Sequence, residues 1–221
     1  MKTKIAKLVL ALAIALALQT MAVAEEKIIT VSAKVPPLSG VMDVMISSID
    51  PADPVDLTDD VWTKDQSSVN FGTLIRIEKD KIFTGSSYYA VDVVVLDNTG
   101  RSWTLTHTAA AIIRRPLAFP ISRLDDSITV AFAKVMRPRG ATKDEETPLS
   151  RGTYRESNNA QFDRAKLEGG KGGWLRIYYG IATGNPDPSK GTLDPAGAFP
   201  ISQYQLGGDY SGGVTLTLTP Q

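Results

Sequence analysis

The chain has one histidine, His107, and no cysteine. A histidine works as a general base only beside a nucleophile and a group that orients the ring. Neither a G-x-S-x-G nor an H-E-x-x-H pattern is present. On the alternation of its neighbours His107 shares a face with Trp103 and Leu105, which predicts a half-buried strand residue bonded to a neighbour. Without cysteine there is no thiolate nucleophile, iron–sulfur cluster or Cys-based zinc site, and one histidine cannot build a histidine-rich metal centre. These residues assign no catalytic role, no cofactor and no metal.

Oxygen ligands are more plentiful. Asp50, Asp53, Asp56, Asp59 and Asp60 offer the carboxylates a hard cation such as calcium prefers, but prolines interrupt them and their spacing fits no known loop. Asn185, Asp187 and Ser189 have the alternate spacing of a calcium loop. Its glycine, Gly191, falls one place late, and Ala196 stands where a bidentate glutamate belongs. Both stretches are expected as polar turns. Asp125 and Asp126 are adjacent, so a strand would point them to opposite faces, unlike the paired carboxylates of a glycosidase. Trp62, Trp103, Trp174, Tyr178 and Tyr179 could supply the rings of a sugar-stacking platform, though packing in and around a core explains most such residues.

The elements that must carry these groups are strands. Apolar and polar residues alternate over short runs separated by Gly, Pro, Asp, Asn and Ser, which is the period of a half-buried strand. Such runs occupy 28–35, 73–78, 102–108, 127–135, 174–182 and 213–219, with a short apolar run at 41–46 and a short edge piece at Phe199-Pro200-Ile201. The run 88–96 is apolar on both faces, with Asp92 its only charge, and reads as a central strand covered on two sides. Asp97-Asn98-Thr99-Gly100 then predicts a turn with Gly100 left-handed, making 88–108 a hairpin. The last run sets Val214, Leu216 and Leu218 against Thr215, Thr217 and Thr219.

Two connections are long: 47–68, and the charged, Gly-rich stretch 136–173, where only Asn158 to Leu167 suggests two or three helical turns. About eight strands with polar turns predict a single antiparallel, immunoglobulin-like β-sandwich with one long charged loop.

The first residues address the chain. Lys2, Lys4 and Lys7 precede an apolar run from Leu8 to Leu18, and Ala22-Val23-Ala24 offers small residues ahead of Glu25-Glu26. This pattern predicts a secretory signal over 1–24, too short to span a bilayer, and one domain over 25–221 at the cell surface, outside the cell or in the periplasm. Basic and acidic residues number 24 each in the whole chain, and the signal removes three lysines. That balance leaves no electrostatic footprint for nucleic acid. No later stretch is long enough for a membrane helix.

Several segments together resemble bacterial fimbrial or pilin-like exported β-sandwich subunits, of the spore-coat-U-like or chaperone–usher-like kind. They are the alternating run Ile29 to Val35, the Val69-Asn70-Phe71-Gly72-Thr73-Leu74 segment, and Gly208-Asp209-Tyr210-Ser211-Gly212 feeding a terminal Val/Thr/Leu strand. Two features depart from that pattern. Many chaperone–usher pilins carry a disulfide, and their last strand often ends on an aromatic, whereas this chain ends Leu218-Thr219-Pro220-Gln221.

The resemblance implies a structural subunit, with other copies of itself or related surface subunits and a periplasmic chaperone as partners. It implies donor-strand exchange, in which a neighbour's strand fills a groove. The donor would be Glu25 to Val35, with Ile29, Val31, Ala33 and Val35 as its plugs, set off by Pro36-Pro37. The strand of Val214, Leu216 and Leu218 would be the acceptor or simply the terminal strand. The alternative for 25–35 is the first strand of its own sandwich. The alternative role is a secreted or periplasmic carbohydrate- or ligand-binding module.

Overall fold

The computed structural model describes residues 41–49, 63–85, 88–97, 99–116, 120–142, 144–168, 173–184 and 198–221. All of them lie in one compact unit, Pro37–Gln221. Ile29, Val31, Ala33 and Val35 fall outside the described residues, as do the acidic stretch 50–60, the 185–191 stretch and Trp62.

The largest layer is a six-stranded antiparallel sheet in the order β2-β1-β5-β10-β7-β8. Its strands are β1 (Val41–Ile49), β2 (Thr63–Gln66), β5 (Tyr88–Leu96), β7 (Ile128–Met136), β8 (Glu145–Thr153) and β10 (Trp174–Ile181). A three-stranded sheet has β6 (Trp103–Arg115) between β12 (Asp209–Pro220) and β9 (Ala160–Asp163). A second small sheet joins β3 (Ile75–Ile77), β4 (Ile82–Thr84) and β11 (Ile201–Ser202). One short helix, α1 (Arg164–Glu168), follows β9. The fold is all-β and antiparallel, a β-sandwich, as the alternation predicts.

Alternation decides which side chains meet. Tyr89, Val91 and Val93 of β5 share one face of the large sheet with Leu175, Ile177 and Tyr179 of β10 and with Val130 and Phe132 of β7. Against them the small sheets bring Trp103 and Leu105 of β6, Phe162 of β9 and Ile201 of β11. Val93, Leu105, Val130, Leu175 and Ile177 have no exposed surface. Each such side chain is worth about 1.5–3 kcal/mol in burial. β5 is flanked on both edges, by β1 and β10, and Tyr88 to Val93 are buried without a break. The expectation of a central, two-faced strand holds.

Several expectations are corrected. Residues 88–108 do not form a hairpin: β5 belongs to the large sheet and β6 to the three-stranded one. Asp97 still makes the turn, taking the amide of Thr99 at 2.7 Å and its hydroxyl at 2.6 Å, and Gly100 is left-handed with φ 77°. The turn therefore arches from one layer to the other. Both edges of β5 are already paired, so β6 has no place beside it.

The stretch 136–173 is not one loop, because it carries β8, β9 and α1. Residues 158 and 159 belong to a turn, and the helix is confined to Arg164–Glu168. The 47–68 connection is shortened by β1 running to Ile49 and by β2. The described residues hold twelve strands; those beyond the expected runs are β2, β4 and β9, each of four residues or fewer and too short to show a period, and β8, which lies in the stretch expected as a loop.

Candidate functional site

Sheet edges carry unpaired ladder groups that invite another strand, and most edges here are blunted. β8 has Pro148 and a register shift between Phe132 and Ala133 of its partner. β2, β3, β9 and β11 are short. On its β9 side, β6 is closed piece by piece. Beyond His107, the Ala109 amide donates to Asn158 Oδ1 at 3.0 Å and the Ile112 amide to Asp125 Oδ1 at 2.6 Å, and the Arg114 amide reaches the Ser122 carbonyl at 3.0 Å.

β12 differs. It is twelve residues long, pairs on one side with β6, and faces no described strand on the other. It is opposed residue by residue, with Leu216 across from His107 and Leu218 from Leu105. Since His107 and Leu105 are buried, Val214, Leu216 and Leu218 point inward and the threonines outward. Leu216 and Leu218 are half-buried, but Val214 is 37% exposed despite facing in.

The cause is an open cleft of about 890 Å³ beside β12. Its walls are Val214 and Leu216 of β12, Val44 and Ile46 of β1, and Phe71 with Leu74 from the 67–74 segment. Val44 is 41% exposed although Val93, its ladder partner, is fully buried. β2 pairs only with the Ile46–Ser48 half of β1, and a notch opens at Asp43 to Ile46 along the other half. The 67–74 wall is held by left-handed Gly72, whose amide donates to Asn70 Oδ1 at 2.9 Å, and by Tyr89, whose hydroxyl donates to the Asn70 carbonyl. Phe71 packs edge-on to Tyr89 with centroids 5.5 Å apart.

The cleft floor is polar underneath. Tyr154 and Tyr179 both line it. Tyr154 donates to the Gly213 carbonyl at 2.7 Å, beside the β12 bulge between Ser211 and Gly213. His107 lies behind, fully rather than half buried, with Nδ1 3.0 Å from the Ser157 carbonyl and Nε2 2.8 Å from the Tyr179 hydroxyl. A carbonyl only accepts, so Nδ1 carries the proton and Nε2 accepts from Tyr179. Burial holds the His107 ring below its ordinary titration range, against the pull of the Ser157 carbonyl. Burial, with the charge of Asp125, pushes Tyr154 up to about 12.

The remaining candidates serve the fold. Asp125 and Asp126 sit in a turn, not a strand. Asp125 is 2% exposed and takes Arg123 Nε at 2.8 Å as well as the Ile112 amide. Asp126 pairs with Arg155 at 2.8 Å on the surface. Trp103, Tyr178 and Tyr179 are buried and cannot stack on a sugar. Among the described residues no group of three or more His, Cys, Asp or Glu could hold a metal. No helix there is long and apolar enough to cross a membrane. Sequence reasoning found the inward face of β12 but missed its partners Val44, Ile46 and Phe71, which come from distant segments.

An open-edged, all-β sandwich with a cleft along its last strand is the class that fold and site define. No protein-family model matches the chain, and no curated protein matches it. Among solved structures it is similar to a chain from work described as "Chaperone-tip adhesin complex is vital for synergistic activation of CFA/I fimbriae biogenesis", at 11% identity and a TM-score of 0.37. The match covers 80% of this chain but 42% of that one, so the chain spans less than half the length of the solved chain it matches.

Proposed function

We propose that the protein is an exported structural subunit of a bacterial surface or pilus-like assembly, joined to its neighbours by addition of a β-strand in the cleft along β12. The observation that carries this reading is a twelve-residue edge strand, paired with β6 on one side and with no described strand on the other, running beside an open apolar cleft. An added strand gains main-chain bonds from β12, while alternate side chains enter the cleft against Val214, Leu216, Val44 and Ile46. A neighbour's residues 25–35 would meet that demand if extended as a strand, since the alternation of their sequence would put Ile29, Val31, Ala33 and Val35 on one face. The role is structural and not catalytic, and a chaperone would cover the same edge before assembly.

The test is light scattering and size-exclusion chromatography of residues 25–221, with and without an excess of a synthetic peptide of residues 25–35. Self-association that the peptide shortens supports the reading. A peptide with Asp at positions 29 and 31 should have no effect. A chain that stays monomeric at all concentrations and binds neither peptide would overturn it.

A further inference from the structure

We propose that uptake of a proton by His107 and occupation of the β12 cleft oppose one another, so that acid loosens the assembly. The inference rests on the reading of the cleft as a strand-binding groove.

Two tyrosines and one histidine form the link. His107 Nε2 accepts the Tyr179 hydroxyl at 2.8 Å, and Tyr179 is a wall residue of the cleft. His107 Nδ1 donates to the carbonyl of Ser157, and Ser157 donates from its own hydroxyl to the Tyr154 carbonyl at 2.8 Å. Tyr154 in turn holds Gly213 of β12 at 2.7 Å. Leu216, a wall residue of the cleft, is the ladder partner of His107.

The neutral ring satisfies both its nitrogens. Once Nε2 is protonated it must donate, and the Tyr179 hydroxyl has to turn its own hydrogen elsewhere. Among the described residues, no charged side chain acts on the ring. β7 brings Phe132, edge-on at 5.3 Å, β9 brings Ala160, β12 brings Leu216, and β10 brings Tyr179 itself. Asp125, whose charge acts on Tyr154, is engaged by Arg123 and the Ile112 amide. The displaced hydrogen needs a new acceptor, and an apolar occupant packed against Tyr179 in the cleft supplies none. Filling the cleft therefore favours the neutral ring, and by linkage a protonated ring disfavours the occupant.

The experiment measures self-association of residues 25–221 between pH 8 and pH 5 for the parent and for His107→Gln, which stays uncharged throughout. The expected result is a loss of up to about tenfold in association constant per pH unit below the ring's titration in the parent, the signature of one proton. His107→Gln should show a flat profile. Equal pH dependence in both proteins overturns the link and leaves the cleft reading standing. A lack of association at every pH overturns the cleft reading and the link with it. Because His107 is the sole histidine, its ring signals are unambiguous by NMR, which covers a variant that fails to fold. The parent's ring should titrate at lower pH when assembled than when dispersed, and an equal or higher value overturns the link.

Discussion

Arg176 on β10 holds Asp92 on β5 with two parallel hydrogen bonds, Nε to Oδ1 at 2.6 Å and Nη2 to Oδ2 at 2.8 Å, between residues that are direct partners in the ladder. The third arm of the guanidinium meets Glu146 of β8 at 2.6 Å, and Glu146 also accepts the Tyr178 hydroxyl at 2.6 Å. Asp92 shares its sheet face with Ala90 and Tyr178, opposite the face of Val91 and Val93 that packs into the main core. The lone charge of an otherwise apolar strand is therefore one end of a satisfied network, and the network ties three strands of the large sheet together.

Breaking one end leaves the other charge without its partner. Side-chain exposures of 12% and 10% for Arg176 and Asp92 put both largely out of water. Arg176→Ala and Asp92→Ala should each lower unfolding free energy by about 3–5 kcal/mol, while Arg176→Met combined with Asp92→Leu and Glu146→Gln, which leaves no charge unpaired, should recover most of that loss. Urea unfolding of the three variants gives the comparison. Single losses under 1 kcal/mol would show that solvent already screens the pair.

The buried histidine makes stability depend on pH in one direction. His107 is held neutral in the folded chain, chiefly by burial, while the unfolded chain takes up a proton near its ordinary value of about 6.5. The folded state thus binds fewer protons, and its advantage from this group is complete above about 6.5 and declines as pH falls below that toward the lowered folded value. Melting temperatures from pH 8 to 5 should fall in the parent across this window and stay nearly level in His107→Gln. An equal decline in both proteins would move the cause to the carboxylates.

Local order was readable where a run was long enough to show its period. The inward set of β12, the two buried faces of β5 and the left-handed Gly100 all followed from spacing and residue type. The partner of each strand did not. The turn at Asp97–Gly100 suits a hairpin and an arch equally, and the choice was made by β1 and β10, which occupy both edges of β5. His107 and Tyr179 are 72 residues apart, and Arg176 and Asp92 are 84 apart, so neither pairing leaves a local trace. The cleft was illegible for the same reason. An open edge is defined by the strand that does not arrive.

Gly180 tests packing on the face shared by Tyr88 and Tyr178. A Cβ built there would lie 2.6 Å from two ring atoms of Tyr88 and 3.1 Å from Thr129 Oγ1. The Tyr88 ring is 8% exposed and the strand beneath it is central. Gly180→Ala should therefore cost about 1–3 kcal/mol as an overpacked site. Gly207→Ala, where nothing lies within 4 Å of the added carbon, is the control and should change the urea midpoint little.

The two faces of β12 separate stability from assembly. Val214 faces into the cleft but is 37% exposed, so an acidic side chain there keeps access to water. Val214→Asp should change the unfolding free energy by no more than about 0.5 kcal/mol, the range of surface substitutions, yet place a charge where an incoming strand must bury its apolar residues. Self-association of residues 25–221 should then be lost at an unchanged melting temperature. Thr217→Asp, three residues further along and on the outward face, should leave both quantities as they were. Leu105→Ala serves as the converse: its side chain has no exposed surface, and the cavity should cost about 2–5 kcal/mol while sparing the cleft. Assembly that survives Val214→Asp, or fails equally with Thr217→Asp, would mean that subunits meet through some surface other than the inward side of β12.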